Sequence, residues 1–284
     1  MNMNYESVYL KTNIRPMDHL PYGVRKIGAS DEWNNSGTRG EYASCLIIDT
    51  GTPDHRDLKN IKSFDGIPDT DGHATHVGGT IGANGLILGV APEVQLHFAY
   101  GMTGDWMNIA DYAIKEDIDV VNISLGYSGR GHTHPAIKKM ADHGIIIVAS
   151  GGNSGKKGLY YPAKYPEVIA VAAVNVERDI TDFSSIGKDN EVCAAGYEVQ
   201  STYLHNRYSY MSGTSMASPH IAGAVALLQS KAKMLHGKRL TLDEVRTILH
   251  HRAVDLGEIG RDTKYGYGMF SFSPSNFRPE KPIY

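Results

Sequence analysis

Short, nearly continuous apolar runs alternate with helical patterns between about Ala43 and Val174, the signature of βαβ units around a parallel sheet. Strands are predicted at Ser44–Asp49, Val94–Ala99, Val120–Ser124, Gly144–Ser150 and Val168–Val174. Helices are predicted between them at Gly72–Gly82, Asp105–Glu116 and Pro135–His143, where residues such as Ile109, Ala110, Ala113 and Ile114 recur at helical spacing. The run Ile145-Ile146-Ile147-Val148 shows no polar alternation, which suits a strand covered on both faces. The pattern therefore predicts an α/β fold of three layers, a mostly parallel central sheet with helices on both sides.

After Val174 the pattern loosens into turns and short strands up to Thr214. A long helix then begins with Ser215, Met216 and Ala217, and its small residues imply close packing all round. A last helix is predicted from Thr241, with Glu244 completing a capping box, and ends near His250 or His251. The tail, with Pro274, Pro279 and Pro282, is expected to be irregular. No repeat, low-complexity tract or linker divides the chain.

Charge and composition mainly exclude. A net charge of -3 over 284 residues supplies no basic footprint for nucleic acid or anionic lipid. No apolar run approaches the roughly 20 residues that span a bilayer, so no membrane partner is expected. Met1 to Leu20 lacks the apolar segment of a secretory signal, which points to the cytoplasm. The two cysteines, Cys45 and Cys193, lie among apolar neighbours and read as buried thiols rather than a disulfide.

Three segments carry candidate chemistry. In open α/β sheets functional groups gather just beyond the carboxyl ends of strands, and Asp49 ends the strand Cys45-Leu46-Ile47-Ile48 there, before Thr50-Gly51. His73 sits in Asp71-Gly72-His73-Ala74-Thr75-His76-Val77-Gly78-Gly79-Thr80 at a helix start. No Glu follows it as a zinc-binding helix would require, and His76 reads as a structural histidine. Ser215, in Ser212-Gly213-Thr214-Ser215-Met216-Ala217-Ser218-Pro219, stands in the first turn of the small-residue helix, where backbone N–H groups and the helix dipole favour an alkoxide. Each residue alone has a plain alternative: a turn Asp, a packed His, a capping Ser.

Taken together, the three segments resemble the signature motifs of the subtilisin family, in that family's order Asp, His, Ser, with similarity from about Pro21 to Phe270. The order differs from that of the α/β-hydrolases, and Ala217 stands where their second glycine would be. The resemblance implies a serine endopeptidase with Ser215 as nucleophile, His73 as general base, Asp49 orienting it, and Asn153 of Ser150-Gly151-Gly152-Asn153 as an oxyanion donor. It also implies that Ser124-Leu125-Gly126 pairs with an extended polypeptide substrate and that Ser150, Gly151 and Gly152 line the pocket for the residue before the scissile bond. Tyr160 is expected to shorten or reshape that pocket. Ala74 and Ala195 replace a usual glycine and proline without touching the triad.

No cofactor is needed for this chemistry. The stretch Ile81-Gly82-Ala83-Asn84-Gly85-Leu86 is shorter than the loop that binds tight calcium in many relatives. A weakly bound Ca²⁺ or Na⁺ stays open as a candidate, on carbonyls of Ala163, Tyr165 and Val168 and carboxylates of Asp189 and Glu191, against two solvated surface acids. Residues 1–20 read as a short leader, inhibitory or inert, before a single peptidase domain at 21–284, similar to the intracellular subtilisins. A homodimer is compatible with the sequence. The alternatives are a binding protein on a retired protease fold, against which the intact candidate residues argue, and an esterase of another fold, which the order disfavours.

Overall fold

The computed structural model describes residues 10–14, 19–59, 61–103, 105–129 and 131–273. The expected irregular tail, from Pro274 on, and most of the leader lie outside the described residues.

In chain order the elements are β1 (Leu10–Ile14), α1 (Tyr22–Lys26), α2 (Ala29–Ser36), β2 (Ser44–Asp49), β3 (Lys62–Ser63), α3 (His73–Gly82), β4 (Gln95–Tyr100), α4 (Trp106–Lys115) and β5 (Val120–Ile123). They continue through α5 (His134–Asp142), β6 (Ile146–Ser150), β7 (Val168–Val174), β8 (Val192–Ala195), β9 (Val199–Tyr203) and β10 (Arg207–Met211). Last come α6 (Thr214–His236), α7 (Leu242–Arg252), β11 (Ala253–Val254) and β12 (Met269–Phe270).

The central sheet has nine strands in the order β11-β12-β8-β7-β6-β5-β2-β4-β3, parallel throughout except for β11 against β12. Because side chains alternate across a strand, β2 sends Cys45 and Ile47 to one apolar cluster and Leu46 and Ile48 to the other. The first cluster takes in α3 and α6, the second α4 and α5, so the sheet is covered on both faces as its unbroken apolar runs require. Cys45 and Cys193 lie on β2 and β8, with β5, β6 and β7 between them, and both are free buried thiols.

Three strands shift from their predicted bounds: β5 stops at Ile123, one residue short of Ser124, and the other two move for identifiable reasons. Pairing with β2 carries β4 to Tyr100, opposite Asp49, while Val94 N–H turns back to Ala91 O. Gly144 has φ 79° and Ile145 N–H bonds Met140 O, so both close the helix before β6 begins. A second, antiparallel sheet of order β1-β10-β9 leads from Met211 through Ser212 and Gly213 into α6. α7 starts with the expected capping box, the Thr241 hydroxyl accepting from Glu244 N–H and the Glu244 carboxylate accepting from Thr241 N–H.

Candidate active site

The carboxyl end of β2 delivers Asp49 into a fully buried position. Its Oδ1 accepts from Thr50 N–H at 2.8 Å and from His73 Nδ1–H at 2.7 Å. Burial opposes a charged imidazolium at His73, but the charge and hydrogen bond of Asp49, with Asp71 and Asp69 behind it, outweigh burial and raise the His73 pKa.

His73 is held by the turn that precedes it. Gly72 has φ 96°, and a Cβ there would lie 2.3 Å from the Tyr203 ring, so only glycine fits. Asp69 gathers the turn: its Oδ1 accepts from Asp71 N–H and Gly72 N–H, and its Oδ2 from the Thr75 N–H and hydroxyl. The Thr50 hydroxyl donates to Asp69 Oδ1 at 2.9 Å and accepts from Ala74 N–H at 3.0 Å, locking the end of β2 to the start of α3. The sequence reading missed Asp69. Its signal was an acidic side chain just before a Gly-led helix start, a common way of serving orphan N–H groups. His76 plays the structural part expected of it: Nε2–H donates to Val199 O at 3.0 Å, and burial, with the nearby His73, lowers its pKa to about 3.

Ser215 lies in the first turn of α6, and its hydroxyl donates to Ser124 O at 3.0 Å. Asn153 follows β6, and its Oδ1 accepts from both the N–H and the hydroxyl of Thr214, each at 2.9 Å. That fixes the carboxamide with its nitrogen on the opposite side. Asn153, Thr214 and Ser215 share a cavity of about 40 Å³ with Gly126, Ser150, Gly152 and Tyr160. A Cβ at Gly152 would stand 2.9 Å from the Tyr160 ring, and one at Gly126 would stand 3.1 Å from Tyr160 Cβ. Tyr160 therefore fills the space that the two glycines open. Leu125 turns into the core instead of lining the cavity, and Gly151 supports it from behind, its carbonyl accepting Tyr160 N–H at 3.0 Å.

All five candidate cation ligands, Ala163, Tyr165, Val168, Asp189 and Glu191, line one cavity of about 330 Å³, but Arg246, His250 and Arg261 line it too. Arg246 Nε donates to both Glu191 oxygens at 2.9 and 3.1 Å, and its Nη2 donates to Pro166 O at 2.9 Å and Val168 O at 3.3 Å. His250 Nε2 lies 2.9 Å from Glu191 Oε1. A guanidinium already stands where a hard cation would need those oxygens, so the residues as arranged do not fit a metal. Among the described residues no group of three or more His, Cys, Asp and Glu side chains is placed to hold a metal ion.

A buried carboxylate-imidazole pair, a helix-start hydroxyl and a fixed carboxamide at the carboxyl ends of parallel strands are the parts of an acyl-transfer site. The sequence profile of the subtilase family matches residues 5–268, and the chain belongs to that family, as a subtilisin-type serine endopeptidase. It is 35% identical over 288 residues to the major intracellular serine protease of Bacillus subtilis, covering 90% of each chain. It is 38% identical over 274 residues to subtilisin DY of Bacillus licheniformis, covering 89% of this chain and 97% of that one. To the intracellular serine protease of Paenibacillus polymyxa it is 35% identical over 271 residues, covering 85% and 82%.

Proposed function

We propose that Ser215 attacks the peptide carbonyl while His73 takes its proton, and that His73 then returns the proton to the leaving amine so that an acyl-enzyme remains for water to hydrolyse. Asp49 holds the imidazole with Nδ1–H inward and stabilises its charged form. The Asn153 amide and the Ser215 N–H meet the negative oxygen of the tetrahedral intermediate. The observation that carries this reading is the fully buried 2.7 Å contact of Asp49 with His73. A buried carboxylate is costly unless paired, and here its partner is a titratable ring at a helix start. A fluorophosphonate probe should label the wild type and spare Ser215→Ala; an equally labelled Ser215→Ala overturns the assignment.

In the same reading the backbone of Ser124-Leu125-Gly126 pairs with extended polypeptides without reading their sequence. The pocket closed by Tyr160 selects small residues before the scissile bond. No cofactor takes part. The likeness to two proteases named as intracellular supports a cytoplasmic place, and among the described residues no helix is long and apolar enough to cross a membrane. Residues 1–20 act as a leader to one peptidase domain at 21–284. What supports this is the antiparallel pairing of β1 with β10, the strand that runs toward Ser215. Activity rising after proteolytic removal of the leader is the check.

A further inference from the structure

Pro219 lies inside α6. In an α-helix the N–H of each residue donates to the carbonyl four residues earlier, so Pro219, having no N–H, leaves the carbonyl of Ser215 without its helical partner. Ser215 is only 3% exposed, which leaves water little access to make good the loss. The missing donor comes from the end of β5: Ser124 Oγ–H donates to Ser215 O at 2.9 Å.

That hydroxyl has one proton, and its direction is set. Asn122 Nδ2–H donates to Ser124 Oγ at 3.0 Å, which leaves the Ser124 proton for Ser215. The Ser218 hydroxyl donates to Asn122 Oδ1, fixing which end of that amide faces Ser124. Asn122, Ser124 and Ser218 are wholly buried. In the opposite sense, Ser215 Oγ–H donates to Ser124 O at 3.0 Å. Residues 124 and 215 thus hold each other by two hydrogen bonds, one from each hydroxyl to the other's carbonyl.

We propose that the Ser124 hydroxyl, oriented by Asn122 and Ser218, is a positioning group for Ser215, made necessary by Pro219. The proposal rests on the reading of Ser215 as nucleophile. By holding the Ser215 carbonyl, the bond fixes the Ser215–Met216 peptide and so limits the swing of the Ser215 Cα, from which the side chain and the preceding N–H are placed relative to Asn153, and catalysis is lost steeply when such geometry loosens. Ser124 then serves twice: its carbonyl on the substrate-pairing edge, its side chain on the nucleophile.

A double-mutant cycle tests this, with kcat and KM measured on a chromogenic peptide anilide and thermal midpoints recorded for every variant. Ser124→Ala should lower kcat about tenfold, the loss of one positioned hydrogen bond, with KM within about twofold. Pro219→Ala restores an N–H four residues after Ser215, so in that background Ser124→Ala should change kcat by less than about twofold. Should Ser124→Ala not fold, Ser218→Ala provides the same comparison: about a threefold loss of kcat alone, again abolished by Pro219→Ala. An unchanged kcat in a folded Ser124→Ala, an equal loss in both backgrounds, or a change confined to KM overturns the proposal. Fluorophosphonate labelling of Ser215→Ala separates the two readings: a labelled variant sinks the nucleophile assignment, whereas an unlabelled one with equal losses in both backgrounds sinks only the positioning role.

Discussion

Asn153 Oδ1 accepts two hydrogen bonds from Thr214, the residue immediately before Ser215, at 2.9 Å each. The carboxamide at the end of β6 and the start of α6 are thereby one rigid unit, and the amide nitrogen is oriented before any substrate arrives. Pre-orientation of this kind is what makes an oxyanion donor effective, because nothing reorganises when charge develops.

Replacing Asn153 by Leu keeps the volume and removes the donor. We expect kcat to fall on the order of a hundredfold, the loss known for removing such a donor from subtilisin itself, with KM nearly unchanged. Steady-state kinetics on a peptide anilide check this. An equal fall in affinity would mean that Asn153 holds substrate in the ground state.

The His73 pKa is raised from its ordinary 6.5, against burial, by Asp49 and the acidic residues behind it. In its proposed role as general base His73 must be neutral, so kcat/KM should fall as pH drops through that raised value, placing the acid limb above 6.5. Stability runs the other way: a folded-state pKa above the unfolded one contributes stability fully present below the unfolded value and lost as pH rises through the folded value. Asp49→Asn should move the acid limb down and lower kcat on the order of 10⁴-fold, the size known for this change in serine proteases. A pH profile whose limb does not move excludes Asp49 as the cause.

Tyr160 packs against Gly126 and Gly152 in a cavity of about 40 Å³. Tyr160→Gly should open it and raise kcat/KM for phenylalanine relative to alanine before the scissile bond by about tenfold or more, the worth of burying an aromatic side chain. A matched series of peptide anilides reads the ratio directly. Strong preference for large aromatics in the wild type would defeat the idea.

Arg246→Ala removes the cation that serves Glu191, Pro166 O and Val168 O. With the Glu191 side chain only 8% exposed, we expect a loss of about 2 kcal/mol, discounted because Arg246 itself is 25% exposed. Millimolar calcium should leave the thermal midpoint of the wild type unchanged and raise that of Arg246→Ala, since only the variant frees those oxygens. A calcium response in the wild type would show that a metal displaces the guanidinium.

The sequence alone determined what local periodicity and local hydrogen bonds control. The apolar run through Ile47 and Ile48 marked β2 to the residue, the Val168–Val174 run marked β7, and Thr241 with Glu244 marked the start of α7. It also offered Asp49, His73 and Ser215 as candidates, because their motifs are short and stand where a strand ends or a helix begins, and the resemblance to the subtilisin family added Asn153. Only the tertiary structure decided who meets whom across long stretches of chain. Arg246 reaching Glu191, Tyr160 closing over Gly126, and Ser124 answering the carbonyl that Pro219 orphans each join segments distant in sequence. No window along the chain contains both members of such a pair. A free carboxylate and one already holding a guanidinium read alike in sequence, and only the packing of α7 against the sheet tells them apart.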